Sequence, residues 1–138
     1  MLHVDPRPSE KHTRITKYYC SILIPALREV ARRHGYALTV HGSQERDIDL
    51  VAVPWTDNAT DARALVSAIF DACHAIIGSV IWPHAPAGEG VLEASSGSLE
   101  KPVCKCHGRL AWCIFLGEDQ YIDLSVMPRM RSHFRRTR

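Results

Sequence analysis

Two carboxylates separated by a single residue, Asp47 and Asp49, stand at the start of an apolar run. Side chains alternate along a strand, so both would point to the same face, with Cα atoms roughly 6–7 Å apart. A third carboxylate, Asp123, lies within a similar apolar run far downstream. Neighbouring carboxylates raise one another's pKa unless a cation compensates them. The pattern therefore predicts a site for a divalent cation, Mg²⁺ or Mn²⁺, that is completed by the phosphates of a ligand.

A Gly-Ser pair, Gly42 and Ser43, lies between another apolar run and the carboxylate pair. Glycine permits close backbone approach, and free N–H groups together with a hydroxyl are suited to a phosphate. Arg46 could bind phosphate, neutralise the acids or form a structural ion pair. Two other interpretations stay open, in which Ser43 is an ordinary turn residue and the carboxylates are exposed positions of an edge strand.

The order of these motifs resembles that of the nucleotidyltransferase superfamily with the polymerase-beta-like core. The matching segments are Gly42-Ser43, Asp47-Ile48-Asp49-Leu50 and Ile122-Asp123-Leu124. The resemblance implies that the Gly-Ser pair contacts nucleotide phosphates and that the three aspartates hold Mg²⁺ as catalytic ligands. It further implies transfer of a nucleoside monophosphate from an NTP to an acceptor hydroxyl, which Asp123 helps to activate.

The connection between Ser43 and Asp47 is short, because only residues 44–46 intervene. Members of the superfamily have a longer segment here, with a helical turn whose N-terminus cradles the triphosphate. The difference favours an alternative function, a catalytically inactive module of the same fold that contacts nucleotide, nucleic acid or a protein partner. Metal-dependent hydrolysis of a phosphodiester is a third possibility, since the same carboxylates could activate water.

The composition indicates a single globular domain, with 138 residues of which 46% are hydrophobic. No apolar run is long enough for a transmembrane helix, and the N-terminus lacks the pattern of a signal peptide. The five cysteines show no framework spacing and are interpreted as reduced thiols. We therefore expect a cytoplasmic protein without membrane contact.

Charge is distributed unevenly along the chain. Residues 129–138 contain five arginines and no acid, which leaves twelve basic and fifteen acidic residues in 1–128. We predict one nucleotidyltransferase-like domain over 1–128, followed by a basic tail over 129–138. The tail is either a frayed terminus or a contact arm for nucleic acid. A chain this small could also need a partner, or a homo-oligomer, to close its site.

Two helices are predicted around these motifs. Residues 1–13 are expected to be loose, and a first helix is predicted from near Ser21 to His34, so that Pro25 falls in its first turn. A second helix is predicted from a cap at Asn58 or Thr60 to Ile77, where Gly78 ends it. The helices must supply one side of the core that holds the carboxylate strands.

Strands are predicted over residues 36–40 and 48–53, and their short connection favours antiparallel pairing. A hairpin of residues 110–116 and 120–126 is predicted to bring Asp123 into the same sheet. These elements predict the α+β class, with a small mixed or antiparallel sheet flanked by helices and a nucleotidyltransferase-like arrangement.

The segment 79–109 is too long for an ordinary connection and is interpreted as a functional loop or as partly structured. Its end is basic, with Lys101, Lys105, His107 and Arg109. These residues are either substrate contacts beside the acidic site or ordinary solvated charges. Cys104, Cys106 and His107 place soft ligands close together but lack a clear second pair, so a zinc site is the weaker interpretation.

Overall fold

A computed structural model describes residues 7–78, 102–117 and 119–129, together with the backbone of residues 81–84. Within these ranges the chain forms two α-helices, α1 (Glu10–Arg33) and α2 (Ala62–Ile77). The strands are β1 (Tyr36–His41), β2 (Ile48–Pro54), β3 (Ile81–His84), β4 (Val103–Cys104), β5 (Leu110–Gly117) and β6 (Gln120–Val126). Lys101 and residues 130–138 of the basic tail lie outside the described residues.

The strands form one mixed sheet in the order β1-β2-β6-β5-β3, and the two-residue β4 also pairs with β5. Strands β1 and β2 are antiparallel, as their short connection predicts, and β5 and β6 form the predicted hairpin. Strand β6 lies beside β2 in parallel orientation. The predicted α+β class with a small mixed sheet is confirmed.

Helix α1 is longer than predicted. Ser9 caps it by accepting the backbone N–H of His12 at 3.1 Å, so the expectations of a loose 1–13 segment and a start near Ser21 are wrong over the described residues. Pro25 lies inside the helix on an exposed position, where water can reach the carbonyl that proline leaves without a donor. The helix tolerates this loss because six of its residues, spread from Thr16 to Ala31, are buried.

The N-cap of helix α2 lies one residue after Thr60, the closer of the two predicted cap residues. Asp61 is the N-cap, and its carboxylate accepts the N–H of Ala64 at 2.8 Å, so the prediction of Asn58 or Thr60 is wrong by a small margin. Gly78 ends the helix in the left-handed conformation, at φ 89°, as predicted.

Both helices belong to one core with a single face of the sheet. Strands β2 and β6 contribute alternate residues that are at most 1% exposed, namely Ile48, Leu50, Ala52, Ile122, Leu124 and Val126. The residues between them, including Asp49 and Asp123, must point to the opposite face. The helix packing therefore fixes which side of the sheet carries the carboxylates.

Neither helix in the described part of the chain has the length and apolar character needed to cross a membrane. All five cysteines are free thiols, of which Cys104 and Cys106 are exposed.

Candidate functional site

Asp49 and Asp123 occupy paired positions of the parallel strands β2 and β6. Side chains at paired positions lie side by side on one face of a sheet. The two carboxylates that are 74 positions apart in the sequence are therefore neighbours on the face opposite the helices. The sheet order produces this arrangement, because β6 inserts between β2 and β5.

The register extends the carboxylate pair into a row across four strands. Asp49 pairs with His41 of β1, and Asp123 pairs with Cys113 of β5, whose side chain is 2% exposed. His41 lowers the pKa of both carboxyls, although it does not compensate them fully. The imidazole of His41 therefore lies in the same row as the two carboxylates.

Burial raises the pKa of Asp49 to about 6, with further contributions from the negative charges of Asp47 and Asp123. Burial also raises the pKa of Asp123, while Lys105 and Arg109 oppose the increase. In addition, Oδ1 of Asp123 is buried and has no hydrogen-bond partner within the part of the chain that the structure describes. A buried, unpaired carboxylate oxygen beside a second acid is stabilised by a bound cation.

Asp47 is held by a different contact. The hydroxyl of Tyr121 donates a hydrogen bond to Oδ2 of Asp47 at 2.8 Å. Burial and this bond raise the pKa of Tyr121 well above its usual value. Asp47 nevertheless remains close enough to raise the pKa of both other carboxyls. The three acids form one electrostatic group, in which the side chain of Asp47 is oriented by Tyr121.

Among the described residues, no group of three or more His, Cys, Asp and Glu side chains converges as a metal cage would. Of the predicted metal ligands, Asp49 and Asp123 are the two that the strand register places side by side. Mg²⁺ commonly takes one or two carboxylates and completes its shell with water and substrate phosphates. Unpaired Oδ1 of Asp123 supplies an oxygen of the required kind.

Gly42 lies against the carboxylate of Asp49. Its φ is 77°, a conformation that favours glycine, and a Cβ built there would lie 3.0 Å from Oδ2 of Asp49. A larger residue would therefore meet the carboxylate as well as strain the backbone. The structure thus places the backbone of Gly42 next to the carboxylate of Asp49.

The rest of this turn is anchored to helix α1. Ser43 is exposed, and its hydroxyl accepts the N–H of Glu45 at 3.4 Å. The carbonyl of Glu45 accepts the hydroxyl of Thr13 at 3.2 Å, and the carbonyl of Arg46 accepts Nε2–H of His12 at 2.6 Å. The backbone of Arg46 is therefore held by α1, and the residue is exposed.

A buried polar network supports this anchor, and the sequence did not predict it. Gln120, which is fully buried at the start of β6, accepts the hydroxyl of Thr16 at 2.7 Å. Its amide nitrogen lies 3.3 Å from Nδ1 of His12. His12 lies in the segment that is predicted to be loose, and Thr16 lies before the predicted start of the helix near Ser21. The available signal was Ser9, a good N-cap residue placed before a helical pattern.

The basic end of the long loop reaches the carboxylates. Lys105 lowers the pKa of both Asp49 and Asp123, and Arg109 lowers that of Asp123. Both side chains are therefore in electrostatic range of the acidic pair. Cys104, Cys106 and His107 are exposed and form no metal-binding group within the described ranges.

A cleft of about 420 Å³ lies elsewhere on the molecule. It is lined by residues at the start of α2 and after the end of β6, including Arg63, Met127 and Arg129. None of the three aspartates lines it. The carboxylates therefore do not form this cleft, which Gly108, just before β5, also lines.

Comparisons of the chain with protein-family models, with curated proteins and with solved structures returned no match. The relation to the nucleotidyltransferase superfamily therefore rests on the motif residues alone and stays a prediction.

Proposed function

We propose that this protein is a metal-dependent nucleotidyltransferase that moves a nucleoside monophosphate from an NTP to an acceptor hydroxyl. The observation that carries the proposal is the pairing of Asp49 with Asp123 on adjacent parallel strands, next to the backbone of Gly42. This arrangement places a glycine turn next to a pair of carboxylates. A bound Mg²⁺ or Mn²⁺ would neutralise charge on the phosphates and on these acids.

Each residue of the site receives a role from its surroundings. Asp49 and Asp123 would hold the ion, and Asp47 would assist from the position that Tyr121 fixes. The backbone of Gly42 and the exposed hydroxyl of Ser43 would contact phosphate. Arg46, whose side chain is exposed, would approach the substrate from solvent.

In the reaction, the acceptor oxygen would form a bond to the α-phosphorus as the bond to pyrophosphate breaks. We assign the acceptor's proton to the carboxylate of Asp123. The family resemblance implies this role for Asp123, which would accept the proton while it helps to hold the ion. The main contribution of the protein would be positioning and electrostatic stabilisation.

The test measures pyrophosphate release from the four NTPs with Mg²⁺ or Mn²⁺ and a panel of hydroxyl acceptors. We expect release by the wild type and a loss of at least about 100-fold in Asp49→Asn, because removal of charge-stabilising groups has effects of this size. Asp57→Asn, at an exposed position outside the site, serves as the matched control. Undiminished release by a folded Asp49→Asn would reject the proposal.

A second candidate is a nucleotide-binding or partner-binding module without catalysis. The observation that favours it is the hydrogen bond from Tyr121 to Asp47, which occupies one oxygen of a proposed catalytic carboxylate. The anchoring of the short Gly42–Asp47 turn to α1 favours it as well. Mg²⁺-dependent NTP binding without pyrophosphate release, against every acceptor tested, is the result that this candidate predicts.

A further inference from the structure

A short basic turn, residues 105–109, joins β4 to β5 within electrostatic range of Asp123. The N–H of Lys105 donates to the carbonyl of Arg109 at 2.8 Å, so the turn is closed by a backbone hydrogen bond. Gly108 has a φ of 73°, and a Cβ there would lie 3.3 Å from Cγ of Pro128. These two constraints hold the turn at a fixed place next to the end of β6.

Arg109 and Asp123 share an unusual feature. Nε of Arg109 and Oδ1 of Asp123 are both buried, and neither has a hydrogen-bond partner among the described residues. The two groups attract each other, since Arg109 lowers the pKa of Asp123. A direct hydrogen bond between these two atoms would satisfy both, yet it is not formed. Unpaired buried polar atoms are costly, so a ligand that offered an anion to Arg109 and a cation to Asp123 would stabilise both groups.

A metal-bound phosphate is a ligand of that kind. Its oxygens accept hydrogen bonds from a guanidinium or an ammonium group, and its metal ion accepts a carboxylate oxygen as ligand. Lys105 contributes a second cation within electrostatic range of both Asp49 and Asp123. The arrangement of donors, acceptors and charges thus fits a phosphate chain lying between the turn and the acidic pair.

A triphosphate bound at this face would need several positive charges nearby. A triphosphate adds several negative charges to a face that already carries two paired aspartates. The turn after β1 is held against α1 through the carbonyls of Glu45 and Arg46, and no helix begins there. Arg46 offers one cation from that turn, and residues 105–109 offer two more, Lys105 and Arg109.

We propose that the 105–109 turn is the polyphosphate-binding element of this site, with Lys105 and Arg109 contacting the phosphate chain of a metal-bound nucleotide. This inference deepens the proposed function and depends on the same carboxylate pair. It assigns the role of anion binding to a turn that follows a two-residue strand, far in sequence from the Gly-Ser motif.

The test is calorimetric titration of inorganic tripolyphosphate and of ATP, each with excess Mg²⁺, into the wild type and variants. Lys105→Met keeps the apolar stem and removes the charge, while Arg109→Lys keeps the charge and removes the planar donor fork. We expect each variant to bind both probes about tenfold more weakly or worse, because hydrogen bonds to charged groups have this strength. His107→Ala, an exposed position of the same turn, should stay within about twofold of the wild type.

The outcomes separate the two proposals. Wild-type affinity in both Lys105→Met and Arg109→Lys, with loss of ATP binding in Asp49→Asn, would overturn the role of the turn and support the proposed function. Binding that needs Lys105 and Arg109 but is indifferent to Mg²⁺ and to Asp49→Asn would support the turn and count against nucleotidyl transfer. No binding of either probe by the wild type would overturn this inference.

Discussion

The two faces of strands β2 and β6 differ in how completely their groups are satisfied. On the helix side, Leu50 and Leu124 are 1% and 0% exposed and pack in a continuous apolar core. On the other side, Asp49 and Asp123 lie side by side, and both have raised pKa values. Among the described residues, Oδ1 of Asp123 is buried without a hydrogen-bond partner. One face holds the fold together, whereas the other carries a charge arrangement that costs stability and indicates a ligand.

On each strand, a residue that stabilises the core is followed or preceded directly by a residue of the candidate site. Neighbouring residues of one strand point to opposite faces, so Leu124 and Asp123 share the same backbone but have different surroundings. Substitutions at adjacent positions should therefore have opposite consequences, and paired variants test the comparison directly.

The largest expected effect is on the core side. Leu124→Ala should lower the free energy of unfolding by about 3 kcal/mol, because it removes a buried side chain and leaves a cavity. Asp123→Asn, one residue away, should leave stability unchanged or raise it. Urea denaturation of both variants measures the difference. Equal destabilisation by the two substitutions would remove the distinction between the faces.

A smaller effect concerns pH on the carboxylate side. The pKa of Asp49 is raised from 3.8 to about 6, so the folded protein holds a proton there that the unfolded chain releases. The contribution of this group to stability therefore falls as pH rises from about 4 to about 6, and then stays constant.

Asn does not titrate in this range. Asp49→Asn should thus be more stable than the wild type by about 1 kcal/mol at about pH 7.5, after allowance for solvent screening, and no more stable at about pH 4. Thermal unfolding at both pH values checks this, and Asp57→Asn is the exposed control. A gain that is the same at both pH values would contradict the assigned cause.

The smallest effect is expected at Tyr121. Tyr121→Phe removes the hydrogen bond to Asp47 and should change stability by about 0.5–1 kcal/mol, since a single side-chain hydrogen bond contributes about this much. It also removes the contact that positions Asp47 for the site. The readout is Mg²⁺-dependent NTP affinity, which should fall modestly, whereas an unchanged or increased affinity would show that Tyr121 does not position Asp47 for binding.

Much of the fold follows from local patterns. The alternation in residues 48–53 and 120–126 predicts both carboxylate strands, and Gly78 predicts the end of α2. The early start of α1 was missed because Pro25 argued for a short helix. An exposed proline is tolerated there since the buried residues of α1 pack well enough to outweigh the lost hydrogen bond.

The candidate site was predicted in part. The residues of the carboxylate pair could be selected from the sequence, yet their register could not, because it depends on β6 inserting beside β2. The bonds of Tyr121 with Asp47, and of Gln120 with Thr16, join positions far apart in the chain. No local pattern specifies such contacts, and only the folded arrangement of strands reveals them.

The most direct test of the account is a calorimetric titration of each of the four NTPs, with and without Mg²⁺, into the wild type and Asp49→Asn. The account predicts binding by the wild type that requires Mg²⁺ and is lost in the variant, because the ion joins the phosphates to the paired carboxylates. Binding of equal strength in both proteins, or no binding by the wild type, would contradict it.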